Sequence, residues 1–193
     1  MTGFPLGHSF SAKYFAEKFR NEAITDCEFV NYPLSDIGIV RDLFLKDKSL
    51  EGLNVTIPYK KSVIQFIDEV DPEALQIGAV NVIKAYRTGA KLRLKGFNTD
   101  AYGFTVSLPD DFKNRGGKVL VLGSGGAAAA VLHSLSVSGF SPVVVSRSGM
   151  AGTIAYDQLS PGLIREAVMI VNTTPLGMYP NSEGRPEIDY DAL

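Results

Sequence analysis

The sequence predicts an α/β protein with two domains, the second of which is built around a parallel sheet. Along residues 1–103, short helical and strand patterns alternate and include one antiparallel hairpin. After residue 117, strand and helix patterns follow one another in the way typical of parallel strands joined by right-handed crossovers. Residues 111–117 form a polar connector that ends in glycine. We therefore expect domains at residues 1–103 and 104–193.

Composition excludes several classes of protein. Hydrophobic residues make up 45% of the chain and charged residues 21%, which is ordinary for a globular protein with packed cores. The net charge of −2 gives no reason to expect nucleic acid or an anionic membrane as a partner. Cys27 is the only cysteine, which fits a reducing compartment such as the cytoplasm. With two histidines and no cysteine pair, no metal site is predicted.

Neither the first residues nor the uncharged segment 119–146 predicts export or membrane insertion. The first residues lack the basic start and apolar run of a signal peptide, so none is expected. Residues 119–146 carry no formal charge, but they contain four glycines and Pro142. A spanning helix needs about 20 mostly apolar residues. A buried strand–helix–strand unit is therefore the better interpretation.

The first domain is predicted to contain short elements throughout. Residues 11–22 form a helix, since Ala12, Phe15 and Phe19 are apolar at helical spacing. The other predicted elements are a strand at 28–34, a helix capped by Ser35 that buries Val40, Leu43 and Phe44, a strand at 53–57, a helix marked by Val63, Ile64 and Ile67, a helix capped by Asp71 with Pro72 at its first position, and a hairpin of strands 79–86 and 91–95 around Gly89.

The second domain is predicted to contain three strands. The pattern after the connector is a strand at 118–122, a helix at 125–138 and a strand at 142–146. A less regular segment follows, and then a strand at 167–172. Three parallel strands are enough for the adenosine half of a doubly wound fold.

A glycine-rich loop joins the first strand of this domain to its helix. Residues 123–128 match the G-x-G-x-x-G/A fingerprint of dinucleotide-binding proteins. The first glycine permits a tight turn, the second lets the backbone approach a pyrophosphate, and the helix start attracts the phosphates. The alternative is a glycine turn that only closes a strand–helix unit. The candidate cofactor-binding residues of this loop are Gly123, Ser124, Gly125, Gly126 and Ala127.

The end of the second strand indicates which dinucleotide is used. An NAD site usually has a carboxylate about 20 residues after the first glycine. Here Ser146 and Arg147 occupy that place, Arg147 lying 24 positions after Gly123. A guanidinium can bind a 2′-phosphate, which a carboxylate would repel. NADP is therefore favoured, with a solvated surface arginine as the alternative interpretation of Arg147.

Five segments, taken together and in order, resemble the shikimate dehydrogenase family. They are residues 7–11 (GHSFS), 54–60 (NVTIPYK), 77–81 (IGAVN), 96–100 (GFNTD) and 172–178 (NTTPLGM), so the resemblance covers nearly the whole chain. It implies an N-terminal α/β substrate-binding domain and a Rossmann-like NADP-binding domain. It also implies reversible reduction of 3-dehydroshikimate to shikimate, a step of aromatic amino acid biosynthesis.

The resemblance assigns roles to individual residues. It makes Lys60 and Asp100 the catalytic pair, and a lysine ammonium is able to donate the proton that a ketone needs on reduction. Their ordinary alternatives are a solvent-exposed lysine and a helix cap. By the same resemblance, Ser9 and Ser11 bind the substrate carboxylate, Asn54, Thr56 and Asn81 bind ring hydroxyls with Asn98 as a weaker candidate, and Thr173, Thr174 and Met178 lie along the cofactor near its nicotinamide.

The sequence also departs from the family pattern. Tyr59 replaces a frequent histidine and Ala12 a frequent proline. Ala130 stands where many members have arginine, and residues 148–150 lack the usual second basic residue, which keeps NAD open. Family members normally continue well past the position of Leu193. We therefore expect the chain to be truncated at its C-terminus, and residues 1–193 alone to turn over slowly.

Three other functions remain open at this point. An NAD(P)-dependent quinate/shikimate dehydrogenase would share the fold and the catalytic pair. A non-catalytic shikimate- or nucleotide-binding fragment is disfavoured by the presence of Lys60 and Asp100. A two-domain dehydrogenase acting on a folate is disfavoured by Ser9 and Ser11. The sequence does not indicate the oligomeric state.

Overall fold

A computed structural model describes residues 1–6, 10–112, 115–147, 149 and 152–193. The chain forms two compact units, Met1–Asn98 and Thr99–Leu193, and both mix helices with strands. The predicted α/β class is therefore confirmed. The predicted limit between residues 103 and 104, as a boundary between domains, stays a prediction. None of the described helices has the length and apolar character needed to cross a membrane.

The first unit contains a four-stranded mixed sheet. Its strand order is β3–β5–β6–β4, with β5 and β6 forming an antiparallel hairpin and β4 running parallel to β6. A parallel pair, β1 and β2, reaches this sheet through a bridge between Thr2 and Val55. The elements are β1 (Thr2–Gly3), α1 (Phe10–Asn21), β2 (Tyr32–Pro33), α2 (Val40–Lys46), β3 (Gly52–Asn54), β4 (Glu69–Val70), α3 (Pro72–Ile77), β5 (Val82–Thr88) and β6 (Lys91–Phe97).

Alternation along the hairpin positions the core of this unit. Ile83 and Ala85 are buried, whereas Lys84 and Tyr86 between and beyond them are exposed. Because successive side chains of a strand point to opposite faces, one face of the hairpin lies against the core. Burial of a large aliphatic or aromatic side chain stabilises a fold by about 1.5–3 kcal/mol. Core side chains at most 2% exposed include Val40, Phe44, Leu53, Val63, Ile83 and Leu94.

Some predicted elements of the first unit are confirmed and others are wrong. Asp71 caps α3 by accepting a hydrogen bond from the Glu73 N–H at 3.1 Å, and Pro72 begins the helix, as predicted. The Ser35 cap is wrong. Asp36 instead accepts from the Gly38 N–H at 2.8 Å and caps a short 3₁₀ turn, Ile37–Ile39, ahead of α2. Only two residues of the predicted strand at 28–34 form β2, and the helix near residue 63 is a 3₁₀ helix, Ser62–Phe66.

The second unit contains a parallel sheet of four strands. Their order is β10–β7–β8–β9, and every neighbouring pair is parallel. The prediction of three strands was wrong, because a two-residue strand lies in the segment between β8 and β10. The elements are α4 (Asp100–Ser107), β7 (Gly117–Leu122), α5 (Gly126–Val137), β8 (Phe140–Val145), β9 (Thr153–Ile154), α6 (Pro161–Glu166) and β10 (Ala167–Asn172), with 3₁₀ helices at Asp110–Phe112, Tyr156–Gln158 and Tyr190–Ala192.

The central strand β7 is buried on both faces. Val119 and Val121 belong to a cluster that includes Ala128 and Leu135 of α5. Leu120 and Leu122 belong to a cluster on the opposite face, with Ile164 of α6. Because the side chains of a strand alternate between its two faces, the uninterrupted apolar run of β7 requires a covering layer on each side.

Strand order places a crevice at one edge of this sheet. Numbered from β7, the four strands lie in the order 3-2-1-4, which is the usual order of a dinucleotide-binding half. From β7 the chain adds β8 and β9 on one side and then adds β10 on the other side, so the strand order reverses between β7 and β10. Ligands of open α/β sheets bind at such a point, outside the carboxyl ends of the strands. The predicted Rossmann-like arrangement is confirmed, and the residues that follow β7, β8 and β10 are the ones to inspect.

Candidate functional site

Gly123 follows β7 and lies against Thr173, which follows β10. The Thr173 hydroxyl donates to the Leu122 carbonyl at 2.7 Å, and the Thr173 N–H donates to the same oxygen at 2.9 Å. A β-carbon on Gly123 would lie 2.7 Å from Thr173 Oγ1 and 3.2 Å from Thr174 Cγ2. Gly123 also has a φ of +112°, where side chains are strained. The structure therefore brings the glycine loop and the Thr173–Thr174 segment together at the crevice.

The second glycine of the loop faces open space. Gly125 has an ordinary φ of −77°, and a β-carbon placed there would meet nothing within 4 Å. Gly125 is the N-cap of α5, and the first intrahelical bond runs from the Ala129 N–H to the Gly125 carbonyl at 3.1 Å. The earlier N–H groups of a helix have no intrahelical acceptor and attract anions. Open space before Gly125 and this helix start fit a pyrophosphate group.

The loop after β10 is held in shape by Asn172. Its carboxamide oxygen accepts from the Thr174 hydroxyl at 2.6 Å and the Thr174 N–H at 3.0 Å, and its Nδ2 donates to the Leu176 carbonyl at 3.0 Å. Gly177 in the same loop has a φ of +86°. Met178 is exposed. The sequence predicted a motif that includes Asn172 but not the role of its side chain in shaping the loop. The signal for that role was an asparagine at the end of an apolar strand.

Ser146 and Arg147 follow β8 at the same edge of the sheet. Ser146 is buried, and its Oγ lies 3.2 Å from Thr153 Oγ1 on β9. The Ser146 N–H donates to the Ile154 carbonyl at 2.9 Å, which completes the pairing of β8 and β9 at Val145 and Ile154. Arg147 is exposed. Ser146 thus fixes the end of β8, and the guanidinium of Arg147 lies at the surface beside the carboxyl ends of the strands.

In the first unit, hydrogen bonds join three of the segments that the sequence singled out. The Val55 N–H donates to the Asn81 carbonyl at 2.7 Å, and the Val80 N–H donates to the Lys60 carbonyl at 2.7 Å. The Asn81 N–H donates to the Phe97 carbonyl at 3.0 Å. Residues 54–60, 79–81 and 97–98 are therefore held side by side, and they carry Asn54, Thr56, Lys60, Asn81 and Asn98.

Two side chains reinforce this junction from inside the unit. Asn98 is 8% exposed, and its Nδ2 donates to the Ala79 carbonyl at 2.9 Å. Tyr59, which replaces the frequent histidine of the family, is buried and donates from its hydroxyl to the Leu34 carbonyl at 2.7 Å. Both residues have their polar groups engaged with backbone, as buried polar groups require. They act as supports for the segments beside Lys60.

The other predicted site residues are divided between the two units. Lys60 is half-buried in the first unit, and Ser11 lies in the first turn of α1. Asp100 is in the first turn of α4, in the second unit, where Thr99 is the N-cap. Ser9 lies outside the described residues. Within the described part of the chain, no group of three or more His, Cys, Asp or Glu side chains is arranged to hold a metal ion.

The 3-2-1-4 parallel sheet with a glycine loop at its crevice defines a dinucleotide-binding α/β protein. Comparison with known proteins narrows this class. The sequence profile of the shikimate dehydrogenase substrate binding domain matches residues 1–83. Shikimate dehydrogenase (NADP(+)) of Carboxydothermus hydrogenoformans is 38% identical, and the match covers 99% of this chain and 72% of that protein. The enzyme of the same name from Halothermothrix orenii is 34% identical, over 100% and 73% of the two chains.

Solved structures agree with these relatives. Shikimate dehydrogenase of Aquifex aeolicus superposes with a TM-score of 0.82 at 29% identity, covering 100% of this chain and 73% of that one. Shikimate 5-dehydrogenase of Thermus thermophilus, solved in complex with NADP(H) and shikimate, gives a TM-score of 0.81 at 28% identity with the same coverage. The chain belongs to the shikimate dehydrogenase family, as its five motifs predicted.

Proposed function

We propose that this protein is an NADP-dependent shikimate dehydrogenase, which interconverts 3-dehydroshikimate and shikimate by hydride transfer. A relative of that name is 38% identical to it over 99% of this chain. The observation that carries the proposal is the junction of residues 54–60, 79–81 and 97–98, whose hydrogen bonds are 2.7–3.0 Å long. The proposal is supported by the side chains that these segments carry besides Lys60, since amides and hydroxyls both donate and accept and so suit a polyhydroxylated acid.

The proposed substrate site uses these side chains for binding. Asn54, Thr56 and Asn81 are assigned to the ring hydroxyls of shikimate. Ser9 and Ser11 are assigned to its carboxylate, since hydroxyl donors near the start of a helix suit an anion. The buried Asn98 supports the junction through the Ala79 carbonyl and is not needed as a direct ligand.

The proposed proton chemistry falls to Lys60 and Asp100. In the direction of ketone reduction, the Lys60 ammonium donates a proton to the carbonyl oxygen and stabilises the negative charge that develops there. In the reverse direction, the Lys60 amine accepts the proton of the alcohol. Asp100 is assigned as the second member of the catalytic pair, and a carboxylate in general favours the charged form of an ammonium.

The proposed cofactor site lies at the crevice of the parallel sheet. NADP, when bound, supplies or accepts the hydride. The loop at Gly123 and Gly125 and the start of α5 are assigned to the pyrophosphate, as are Ser124, Gly126 and Ala127. Ser146 and Arg147 are assigned to the adenosine 2′-phosphate. Thr173, Thr174 and Met178 are assigned to the nicotinamide end. We assign the reaction to the cytoplasm, because a chain with a single cysteine fits a reducing compartment.

The test is the absorbance at 340 nm of the purified protein with shikimate and either NADP or NAD. We expect NADPH to form at a rate that depends on both shikimate and protein concentration, with NADP preferred. Quinate is supplied in a parallel series. Equal rates with quinate and shikimate would favour a quinate/shikimate dehydrogenase. Nucleotide binding without any reduction would favour a non-catalytic protein.

A further inference from the structure

Tyr156 and Arg147 follow neighbouring parallel strands at the carboxyl edge of the sheet, each two residues beyond the last paired residue. The register of β8 and β9 pairs Val144 with Thr153 and Val145 with Ile154. A ladder bond from the Ser146 N–H to the Ile154 carbonyl at 2.9 Å holds the ends of the two strands together. Arg147 lies two residues after Val145, and Tyr156 lies two residues after Ile154, where a 3₁₀ helix begins. Both residues therefore belong to the carboxyl edge of the sheet, at which open α/β sheets bind their ligands.

The backbone of Tyr156 is fixed by a short turn. Tyr156 begins the 3₁₀ helix Tyr156–Gln158, whose start is stabilised by a hydrogen bond from the Ala155 N–H to Gln158 Oε1 at 3.1 Å. Its carbonyl accepts from the Leu159 N–H at 3.2 Å. The Tyr156 ring packs on the cluster formed by Leu120, Leu122 and Ile164, and it stays partly exposed. A ring anchored on a core cluster presents its hydroxyl at a defined place.

Electrostatics link the two side chains. Burial raises the pKa of the Tyr156 phenol most, the positive charge of Arg147 lowers it, and the neighbouring Tyr190 and Glu187 raise it further. The guanidinium is thus close enough to influence the phenol, while burial keeps the phenol protonated. A protonated phenol is a hydrogen-bond donor, and donors to ionised oxygen make short, strong bonds. Arg147 supplies charge and Tyr156 supplies a neutral donor at the same edge.

We propose that the Tyr156 hydroxyl is a second recognition group for the 2′-phosphate of NADP, donating a hydrogen bond to the phosphate that Arg147 neutralises. This proposal rests on the proposed function. It accounts for a departure from the family pattern, because residues 148–150 lack the second basic residue common after this arginine. A donor from the adjacent strand end takes over part of that task. Tyr156 is therefore a determinant of cofactor specificity, without a part in hydride or proton transfer.

The experiment measures nucleotide binding without turnover. Isothermal titration calorimetry on the whole protein uses adenosine 2′,5′-bisphosphate and adenosine 5′-monophosphate as probes. Tyr156→Phe removes the hydroxyl and keeps the ring, so folding is preserved. We expect Tyr156→Phe to weaken bisphosphate binding about tenfold, as a hydrogen bond to a charged group implies, and to leave monophosphate binding within about twofold. Tyr86→Phe, an exposed tyrosine on β5 of the other unit, is the control and should change neither.

Two results would overturn the proposal. Unchanged bisphosphate affinity in Tyr156→Phe would show that the hydroxyl makes no contact with the phosphate. An equal loss for both nucleotides would show that the ring only shapes the site. In either case NADP-dependent oxidation of shikimate would persist, and the proposed function would stand. If the unsubstituted protein bound the two nucleotides equally, recognition of the 2′-phosphate itself would be rejected, for Arg147 as well as for Tyr156.

Discussion

Gly123 and Thr173 approach each other so closely that no side chain fits between them. A β-carbon on Gly123 would lie 2.7 Å from the hydroxyl oxygen of Thr173, which itself donates to the Leu122 carbonyl at 2.7 Å. The first glycine of the loop is therefore a packing requirement of the β7–β10 junction. At Gly125, two positions later, an added β-carbon would meet nothing within 4 Å, so packing does not require glycine at that position.

This difference predicts opposite phenotypes for two similar substitutions. Gly123→Ala combines a clash with a strained φ of +112°, so we expect a loss of stability on the order of 2 kcal/mol. Gly125→Ala should leave the melting temperature nearly unchanged, because φ there suits alanine whereas alanine is a poorer N-cap than glycine. It should nevertheless weaken NADP binding roughly tenfold or more, since its methyl group occupies the place of the pyrophosphate. Thermal melts and NADP titrations of both variants distinguish the two effects.

Two results would contradict this assignment of the glycines. If Gly125→Ala bound NADP as well as the unsubstituted protein, the pyrophosphate would lie elsewhere, and the loop would only close a strand–helix unit. A normal melting temperature for Gly123→Ala would show that β10 can move away from β7.

The elements that the sequence predicted well are those with strong local signals. Strand β10 has the bounds predicted, because an apolar run ends at Asn172, whose side chain turns the chain. Helix α3 was found from Asp71 and Pro72, a cap and an N1 proline that act within one turn. Ser160 and Pro161 give the same signal for α6, which was overlooked.

The elements that were missed depend on partners elsewhere in the chain. Strand β9 is two residues long, too short for a period of two, and it exists because Val144 and Val145 pair with it. The candidate site divides in the same way. Glycine spacing predicted the loop at Gly123. Nothing in the sequence reveals that Tyr156 and Arg147 follow neighbouring strands, since that depends on the pairing of β8 with β9.

Arg147 provides a test of cofactor choice. Arg147→Ala removes a charge-assisted contact to the 2′-phosphate. The loss of binding free energy should be about 1.5–3 kcal/mol, so the KM for NADP should rise tenfold or more. The KM for NAD should change little, because NAD has no phosphate there. Steady-state kinetics with both cofactors measure the ratio. Arg165→Ala, an exposed arginine in the last turn of α6, is the matched control. Equal losses for NADP and NAD would remove Arg147 from the phosphate site.

Lys60 and Lys61 are neighbours in sequence and differ in burial, the first being half-buried and the second exposed. Lys60→Ala should lower kcat by roughly a hundredfold to ten-thousandfold, the usual contribution of a general acid–base group. The affinity for shikimate should fall less, because the carboxylate and hydroxyl contacts remain. Lys61→Ala should keep near-normal turnover. Full activity in Lys60→Ala would make it an ordinary surface lysine, and equal losses in both variants would indicate a general effect of charge.

Asp68 gives the first unit a predictable dependence on pH. The hydrogen bond from Arg41 lowers the pKa of Asp68, burial opposes this, and the bond from the Leu94 N–H at 2.7 Å lowers the pKa further. A carboxyl whose pKa is lower in the folded state binds fewer protons there than when unfolded, so it stabilises the fold at high pH. That contribution is complete above the unfolded pKa of about 3.9 and disappears as pH falls through the lower folded value.

Asp68→Asn tests this dependence. A bond to a charged group contributes about 1.5–3 kcal/mol, but the Asp68 side chain is 35% exposed, so solvent screening reduces the expected loss to about 1 kcal/mol at pH 7. The difference in unfolding free energy between the variant and the unsubstituted protein should begin to shrink as pH falls below about 4, because Asp68 is then protonated in the unfolded state and, at still lower pH, in the folded state. Urea melts at pH 7, 5 and 3.5 measure it. Glu17→Gln, at an exposed carboxylate of α1, is the control and should show no such trend. A constant difference across this range would mean that the charge of Asp68 does not stabilise the fold.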